Sequence, residues 1–437
     1  MQTLILGGGL AGLGCAHRLD AAGAKWRLLE REARVGGLAR SETRDGFTFD
    51  ATGHWLHLRD PKVKALVLDL LGEDALWVSR SAWIHTHGMM VPYPFQTHTG
   101  ALPPEVTYEC LMGFIRARFG EEGRALRERE PASFEDFVLR NLGEGIGRHF
   151  MFPYNRKLYQ VDLSELSAAW TGRFVPNPSV EDVVRGAVGA KTETQGYNAR
   201  FVYPRSGGIE TLSRRLAARL QGEIHTGATV VAVDPKRRCV RTQDGTEHPY
   251  TQLVSTLPLP ALIEICEGVP ETVRRAARRL RAVSVTYVNV AVRVGEGTPP
   301  LDYHWVYFPE PEFPFYRAGC ASAAVPDLAP PGCRTFYVEF SHLGPGLSEE
   351  TYCVQALEGL ARCGLLREAD EVLFTFARTI PTAYVLFDRA YEESRATVFA
   401  WLEALGIRSI GRYGAWEYSS MEDALIAGRT AAEALLS

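Results

Sequence analysis

The stretch LILGGGLAG, residues 4–12, decides the fold of this chain. An apolar run leads into a glycine-rich turn, an apolar helix start follows, and the next apolar run ends at Glu30. Gly7 permits the tight turn, Gly9 lets the backbone approach a pyrophosphate, and Gly12 lets the helix pack closely on the strand. The N–H groups at the helix N-terminus would hold the diphosphate, and the Glu30 carboxylate would accept the ribose hydroxyls. The pattern therefore predicts a dinucleotide-binding strand–helix–strand unit, and the acid favours a ribose without a 2′-phosphate.

The length of 437 residues allows a large core and more than one domain. A net charge of -4, without a basic stripe, argues against non-specific binding of nucleic acid. The eight cysteines are dispersed and show no Cys/His ligand spacing, which predicts reduced thiols and no metal site. No apolar run is long enough to span a bilayer, and the N-terminal run lacks the basic start of a signal peptide. We therefore expect a cytoplasmic protein without a membrane span.

The order of predicted strands and helices indicates an α/β fold with a discontinuous, Rossmann-like nucleotide-binding domain. Strand–helix–strand character returns near residue 201 and again near residue 408. Apolar residues at helical spacing lie between these strands and the first unit, and alternating segments from 284 to 377 indicate an antiparallel sheet. We expect nucleotide-binding parts at 1–60, 199–260 and 396–437, a sheet segment at 61–100, a helical insert at 101–198, and an antiparallel-sheet substrate domain at 261–395.

Several motifs together resemble the FAD-binding amine oxidase superfamily. Beside the first glycine turn they are Gly36-Gly37, Tyr203-Pro204-x-x-Gly207-Gly208 and Ser255-Thr256-Leu257-Pro258. Four longer strings resemble UDP-galactopyranose mutase, most nearly its eukaryotic type. They are VPYPFQ (91–96), PYNRKLY (153–159), WVYFPE (305–310) with PFYR (314–317), and GRYGAWEY (411–418). The likeness covers nearly the whole chain in order.

The resemblance implies FAD as the cofactor. For the first glycine turn alone, an NAD-binding unit is the alternative; the second turn and the Gly-Arg-Tyr-Gly segment favour FAD. The expected FAD contacts come from both turns, the end of the second strand, and the C-terminal loop and helix. They are Gly7, Gly9, Leu10, Ala11, Gly12, Glu30, Arg31, Gly37, Leu38, Ala39, Arg40, Gly53, Val230, Gly411, Met421, Glu422 and Asp423.

The resemblance also implies a reaction, the interconversion of pyranose and furanose forms of a UDP-sugar such as UDP-galactopyranose. In this family, N5 of the reduced flavin attacks the anomeric carbon, and the diphosphate leaves and later returns. No net electrons are transferred, but the flavin must be reduced, so an electron donor such as NAD(P)H is a further expected partner. The identity of the sugar and base and the oligomeric state stay open.

A departing diphosphate needs cations, and the resemblance assigns them. Arg317 matches the family's diphosphate arginine, and Arg412 matches an arginine between flavin and substrate. His54 matches a histidine on a loop over the flavin ring. Two positions depart from the family pattern, because Phe174 stands in place of an arginine and Ala324 in place of a tyrosine. The matching substrate-binding residues are Tyr93, Gln96, Asn155, Asn198, Trp305, Tyr307, Tyr384 and Tyr418.

Other interpretations stay open at this point. The chain could be a true oxidoreductase of the amine oxidase or protoporphyrinogen oxidase type, since the shared framework does not distinguish the two reactions. A non-catalytic flavin-binding scaffold is a third possibility. Trp305 and Tyr307 could be ordinary strand core, Arg317 a surface charge, and Asn155 a helix brace. Two arginines with surrounding tyrosines favour a diphosphate substrate over an amine or an apolar one.

Overall fold

A parallel five-stranded sheet forms the centre of the computed structural model, which describes residues 2–171, 175, 177–190 and 200–437. Its strands, in spatial order, are β19 (Ile407–Ser409), β13 (Gln252–Ser255), β1 (Gln2–Leu6), β2 (Lys25–Leu29) and β9 (Glu223–His225). In the central strand, Leu4, Ile5 and Leu6 are at most 1% exposed. A parallel strand covered on both faces is apolar throughout, as the opening run of the sequence is. The α/β prediction is therefore confirmed.

Helices α1 (Leu10–Asp20) and α16 (Met421–Leu436), beside this sheet, pack against each other through glycine contacts. A Cβ on Gly428 would lie 2.2 Å from the carbonyl oxygen of Ala11, and a Cβ on Gly14 would lie 3.0 Å from that of Leu425. Only glycine allows such close backbones. The helices around the sheet are α1 (Leu10–Asp20), α2 (Pro61–Leu71), α9 (Glu210–Ala218), α10 (Leu259–Ile265), α11 (Glu271–Arg279), α14 (Tyr391–Ala404), α15 (Gly411–Gly414) and α16 (Met421–Leu436).

A second, seven-stranded sheet carries three of the predicted substrate residues, Trp305, Tyr307 and Tyr384, together with Arg317. In spatial order it contains β18 (Glu371–Val385), β14 (Ala282–Arg293), β17 (Cys333–His342), β16 (Arg317–Gly319), β15 (Trp305–Tyr307), β6 (Ala82–Thr86) and β7 (Met89–Pro92). Its neighbours are antiparallel, except that β15 pairs with β6 in parallel. Arg317 lies opposite Tyr307 on one side and Glu339 on the other. Directly paired residues share one face of a sheet, so these three side chains project together. Helices α12 (Ala321–Ala324) and α13 (Glu349–Arg362) accompany this sheet.

The predicted helical insert is mainly helical where the structure describes it between 104 and 187, with a stretch of turns and isolated bridges at 160–170. Capping boxes start two of the helices, at Ser133 with Asp136 and at Ser179 with Asp182. Among the described helices, none combines the length and the apolar character that crossing a membrane requires. The helices are α3 (Pro104–Phe119), α4 (Glu121–Arg127), α5 (Phe134–Asn141), α6 (Gly143–Ile146), α7 (Phe152–Tyr159) and α8 (Val180–Ala187), with a π-helical turn at Gly147–Met151.

Two expectations from the sequence are wrong in detail. The predicted sheet segment at 61–100 begins with helix α2, because Asp60 accepts a hydrogen bond from the Val63 N–H at 2.8 Å and Pro61 occupies the first turn. The strand near residue 201, β8 (Arg200–Pro204), pairs antiparallel with β5 (Ala75–Ser79) and does not join the parallel sheet. The chain re-enters that sheet only at β9. Apolar alternation identifies a strand without identifying its partner.

The remaining strands form small antiparallel units. β3 (Ser41–Arg44) and β4 (Phe47–Asp50) form the hairpin that precedes His54. Near its base, the Asp50 carboxylate accepts hydrogen bonds from Ser41 Oγ at 2.6 Å and from Tyr203 Oη at 2.5 Å. β10 (Val230–Asp234), β11 (Cys239–Thr242) and β12 (Glu247–Pro249) form a three-stranded sheet.

Candidate active site

The glycine turn after β1 forms a cradle that any side chain would fill. Gly7 has a φ of +98°, and a Cβ there would lie 2.2 Å from Thr256 Oγ1. A Cβ on Gly12 would lie 2.0 Å from the Gly7 carbonyl oxygen, and a Cβ on Gly37 would lie 3.1 Å from Gly9 Cα. Gly9 is the N-cap of α1, and within the described residues no side chain caps this helix. The first N–H groups of α1 are therefore available to an anion such as a diphosphate.

The Glu30 carboxylate lies beside this cradle and is 6% exposed. Its Oε2 accepts a hydrogen bond from the Gly8 N–H at 2.6 Å, and its Oε1 accepts one from the Glu32 N–H at 2.9 Å. Since a carboxylate oxygen accepts more than one hydrogen bond, Glu30 can hold the turn and still receive ribose hydroxyls. The neighbouring Arg31 side chain is 72% exposed and pairs with Glu32 at 3.2 Å.

The second glycine turn is tied to the first. The Gly36 N–H donates to the Gly8 carbonyl at 2.8 Å, and Arg40 Nε donates to the Gly37 carbonyl at 2.7 Å. Gly411, with a φ of +77°, closes on the start of α1, since its Cβ would lie 2.7 Å from Ala11 Cβ. The predicted FAD contacts that gather around this cradle are Leu10, Ala11, Gly37, Leu38, Ala39, Arg40 and Gly411.

The predicted contacts at the start of α16 are already engaged within the protein. Asp423 forms a capping box with Ser420. Glu422 is 2% exposed, and its Oε1 accepts hydrogen bonds from the backbone N–H groups of Arg59 at 2.5 Å and Asp60 at 2.7 Å. These carboxylates fasten the helix and the segment after His54, so their side chains serve the chain itself. Met421, the first residue of the helix, is partly buried, as is Val230 at the start of β10.

Arg317 lies in a paired, largely buried position. Its side chain is 18% exposed, and that of Glu339 is 0% exposed. Arg317 Nη2 donates to both carboxylate oxygens of Glu339, at 2.7 and 2.8 Å, and Nε donates at 3.1 Å. The Tyr316 hydroxyl donates to the same carboxylate. Burial alone would lower the pKa of Arg317, but the Glu339 carboxylate and the neighbouring tyrosines together outweigh it and hold that pKa well above its usual value. Arg317 is thus a fixed cation rather than a solvated surface charge.

Arg412 is held differently. Its Nη1 donates to the Ser419 carbonyl at 2.8 Å, and its Nη2 donates to the Ala383 carbonyl at 2.9 Å. The guanidinium carbon lies 4.6 Å from the ring centre of Tyr418 and 5.3 Å from that of Tyr384. Cation–π contacts and carbonyl oxygens stabilise the charge without neutralising it. Arg412 therefore keeps its positive charge in a partly buried setting.

His54 is partly buried and electrostatically coupled to both arginines. Its pKa is lowered to about 4, mainly by burial; the charges of Arg412 and Arg317 act in the same direction, and the Thr52 backbone acts in the opposite one. The imidazole is therefore neutral at pH 7. The preceding Gly53 is constrained, because a Cβ there would lie 2.5 Å from the Tyr337 hydroxyl oxygen.

Tyrosine rings connect the two arginines. The Tyr384 and Tyr418 rings stack at 5.8 Å, and Tyr384 meets Tyr316 edge-on at 6.4 Å. The Tyr307 ring lies 5.4 Å from the Tyr93 ring. Burial raises the pKa of Tyr384 to about 12, so this hydroxyl keeps its proton at pH 7 and can donate a hydrogen bond. The structure thus brings together His54, Arg317, Arg412, Tyr93, Tyr307, Tyr384 and Tyr418.

Other predicted substrate residues lie at less open positions. Trp305 is 6% exposed and stacks on Trp55 with ring centres 6.1 Å apart. Asn155 is 7% exposed, and its Nδ2 donates to the Met151 carbonyl at 2.7 Å, which braces the helix as the simpler interpretation expects. Gln96 is 1% exposed in a short 3-10 turn. Asn198 and Phe174 lie outside the described residues, and Ala324 ends α12 at 7% exposure.

Sequence reasoning missed the carboxylate that holds Arg317. Glu339 is the acid of the apolar strand run Phe336–Phe340, and an acid in such a run signals a buried pair. It also missed Tyr337, which lies beside Gly53. A third missed residue is Lys157, whose ammonium binds backbone carbonyls near Arg317. These groups position the site, and their partners are distant in sequence.

The chain is similar to known proteins over most of its length. The family model described as flavin containing amine oxidoreductase matches residues 10–436. A crystal structure of reduced UDP-galactopyranose mutase superposes with a TM-score of 0.92 at 26% identity, over 100% of this chain and 95% of that one. Coproporphyrinogen III oxidase of Mycobacterium bovis is 25% identical over 312 residues, 68% of this chain and 67% of that protein. Protoporphyrinogen oxidase 1 of Arabidopsis thaliana is 24% identical over 327 residues, 67% of this chain and 60% of that protein.

The cradle fits FAD on structural grounds, because its glycines leave the backbone uncovered, no side chain of the described residues caps its helix start, and its acid directly follows β2. The expected resemblance to UDP-galactopyranose mutase and the expected cofactor are thus confirmed. The chain belongs to the flavin-containing amine oxidoreductase family, as a flavin-dependent enzyme with FAD as its cofactor.

Proposed function

We propose that this enzyme interconverts the pyranose and furanose forms of a nucleotide sugar, with a UDP-hexose such as UDP-galactopyranose as the substrate. The observation that carries the proposal is the convergence of Arg317 and Arg412 beside His54, bridged by Tyr384. The full-length likeness to a UDP-galactopyranose mutase supports it. Two guanidinium groups with tyrosine rings between them suit a diphosphate, which carries several acceptor oxygens.

When bound and reduced, FAD supplies a nucleophilic nitrogen for the anomeric carbon, and it needs a donor such as NAD(P)H beforehand. The protein's own work is to stabilise the charge that develops on the departing diphosphate. Arg317 is preorganised for this task by Glu339, so no reorganisation is needed as charge develops. Arg412 contributes a second positive charge, because the carbonyl oxygens and rings around it do not neutralise its guanidinium.

The remaining residues would orient the substrate. Tyr384 and Tyr418 would donate hydrogen bonds to diphosphate oxygens. Tyr307, which pairs with Arg317 on the neighbouring strand, would donate a further hydrogen bond to the same group. Tyr93 would border the nucleotide, since its ring meets that of Tyr307. A neutral His54 can donate a hydrogen bond to a sugar hydroxyl or accept one from it, without adding positive charge.

The second candidate is an oxidoreductase, which the sequence likeness to Coproporphyrinogen III oxidase favours. A porphyrinogen carries carboxylates, which could also bind to the two arginines. A porphyrinogen has no diphosphate leaving group, however. Oxidation of a porphyrinogen therefore does not explain why Arg317 is fixed against the buried Glu339 carboxylate with Arg412 nearby. We therefore place this reaction second.

The test compares the purified FAD enzyme in two redox states with UDP-galactopyranose as the substrate. With dithionite-reduced enzyme we expect a furanose isomer by chromatography, without stoichiometric consumption of reductant. Oxidised enzyme is the matched control and should give no isomer. Coproporphyrinogen III is offered in parallel, with oxygen uptake as the readout. Oxygen-consuming turnover of that compound, together with no isomer from any nucleotide sugar tried, would reject the mutase.

A further inference from the structure

The ammonium group of Lys157 binds three backbone carbonyls of one connecting segment. Its Nζ donates to the carbonyl oxygens of Phe308 at 2.7 Å, Glu310 at 2.5 Å and Phe315 at 3.3 Å. An ammonium has three donors, so this arrangement uses all of them. Lys157 lies on α7, which belongs to the helical part of the chain, whereas the three carbonyls belong to the segment between β15 and β16.

That segment separates two residues of the candidate site. Residues 308–316 connect β15 to β16, and the last residue pair before them is Tyr307 opposite Arg317. Such a connection is too long for a tight hairpin turn, so its geometry depends on outside contacts. Phe308, Phe313 and Phe315 anchor it by burial at 0 to 1% exposure. Lys157 fixes the backbone on both arms of the connection.

The opposite side of the same segment is held by the Glu310 side chain. Its carboxylate accepts a hydrogen bond from the His87 N–H at 2.5 Å and one from Thr86 Oγ1 at 3.3 Å, at the turn between β6 and β7. The segment is thus clamped between α7 and a neighbouring hairpin. The Phe308 N–H also donates to the Tyr316 carbonyl at 2.9 Å, and the Lys157 ammonium adds a second link between the arms, through the carbonyls of Phe308 and Phe315.

We infer that Lys157 is a positioning residue that sets the separation of Tyr307 and Arg317, and thereby the geometry of the diphosphate site. The inference rests on the proposed function for its catalytic consequence. A displacement of about 1 Å at a catalytic group can cost on the order of a hundredfold in rate. Loss of the ammonium frees three carbonyls and lets the connection widen. The effect should therefore appear in turnover more than in cofactor binding, because the FAD cradle lies on the other sheet.

The test uses Lys157→Met, which keeps the length of the side chain and removes its donors. The matched control is Lys62→Met, on the exposed face of α2. Lys157→Arg keeps a charged donor and should recover part of the activity, although its planar fork matches three carbonyls less well. Each holoenzyme is assayed for kcat and KM with UDP-galactopyranose, for UDP affinity, for FAD absorbance, and for hydrogen exchange in peptides covering 303–320.

For Lys157→Met we expect kcat to fall by about a hundredfold, UDP affinity to fall a few-fold, and exchange at 308–316 to rise, with FAD retained. A merely structural role would lower FAD content and melting temperature without separating kcat from KM. Unaltered kcat, KM and exchange beside an active wild type would overturn the inference about Lys157 alone. If Lys157→Met does not fold, Lys157→Gln, which keeps two donors on a shorter side chain, takes its place, and wild-type kinetics with unaltered exchange at 308–316 in that variant would overturn the inference. A wild type that neither binds UDP nor isomerises nucleotide sugars would overturn the proposed function, and the role of Lys157 with it.

Discussion

Replacing Arg317 by alanine should damage both stability and turnover, and the two effects can be separated. The substitution removes three charge-assisted hydrogen bonds and leaves the Glu339 carboxylate, which is 0% exposed, without its cation. Breaking a buried ion pair from one side costs about 3–5 kcal/mol. A typical domain has a folding free energy of roughly 5–15 kcal/mol, so the single variant would be markedly less stable.

The double variant Arg317→Ala/Glu339→Gln separates the two roles of Arg317. It removes both charges, and the Gln side chain still offers an oxygen to the Tyr316 hydroxyl. Most of the lost 3–5 kcal/mol should return, since a buried pair replaced as a whole is often near neutral in stability. Turnover should stay depressed by roughly a hundredfold or more, because no cation then faces the diphosphate at this position.

The assay pairs urea unfolding of the FAD-loaded proteins with turnover of the dithionite-reduced enzymes. We expect the double variant to unfold near the wild-type midpoint and to remain nearly inactive. Recovery of turnover together with stability would refute the assignment, because Arg317 would then serve only to neutralise Glu339. Glu339→Gln alone is the matched control that retains the cation.

Two further predictions concern the cofactor cradle and the histidine. Gly12→Ala would bring a Cβ to 2.0 Å from the Gly7 carbonyl oxygen, so the purified variant should lose most of its FAD absorbance; full FAD content would show that the cradle tolerates widening. Because the folded-state pKa of His54 is lowered to about 4, the stability contributed by its neutral form is complete above pH 6.5 and is lost as the pH falls toward 4. Unfolding midpoints between pH 7 and pH 4 should therefore decline more steeply for wild type than for His54→Gln, and parallel declines would count against a buried neutral imidazole.

The sequence predicts the nucleotide-binding unit well because that unit is local. The strand, the glycine turn, the helix and Glu30 follow one another within 30 residues, and each has a steric or electrostatic requirement that few residue types meet. The spacing of apolar residues likewise predicts the amphipathic helices of the insert. The confirmed family and cofactor rest on this local information together with the longer motifs.

The sequence does not predict which distant segments of the chain pair with each other. Strand–helix–strand character near residue 201 predicts a nucleotide-binding part there, but β8 pairs with β5, which precedes it by more than a hundred residues. Glu422 shows the same limit at a predicted site. It stays a predicted cofactor contact, and the sequence does not indicate that its carboxylate holds the N–H groups of Arg59 and Asp60. Long-range partners of this kind depend on tertiary packing, which propensity and spacing do not encode.

The two arginines of the site differ in how much charge they offer to an incoming anion. Arg317 is offset by a full negative charge on Glu339, while Arg412 is held by two carbonyl dipoles and tyrosine rings. His54, being neutral, adds no charge of its own. The unbalanced positive charge therefore lies at Arg412, so ground-state attraction of a diphosphate should depend mainly on that residue. Arg317, fixed in direction by Glu339, is better suited to charge that appears during bond cleavage, since preorganised donors act most strongly where charge develops.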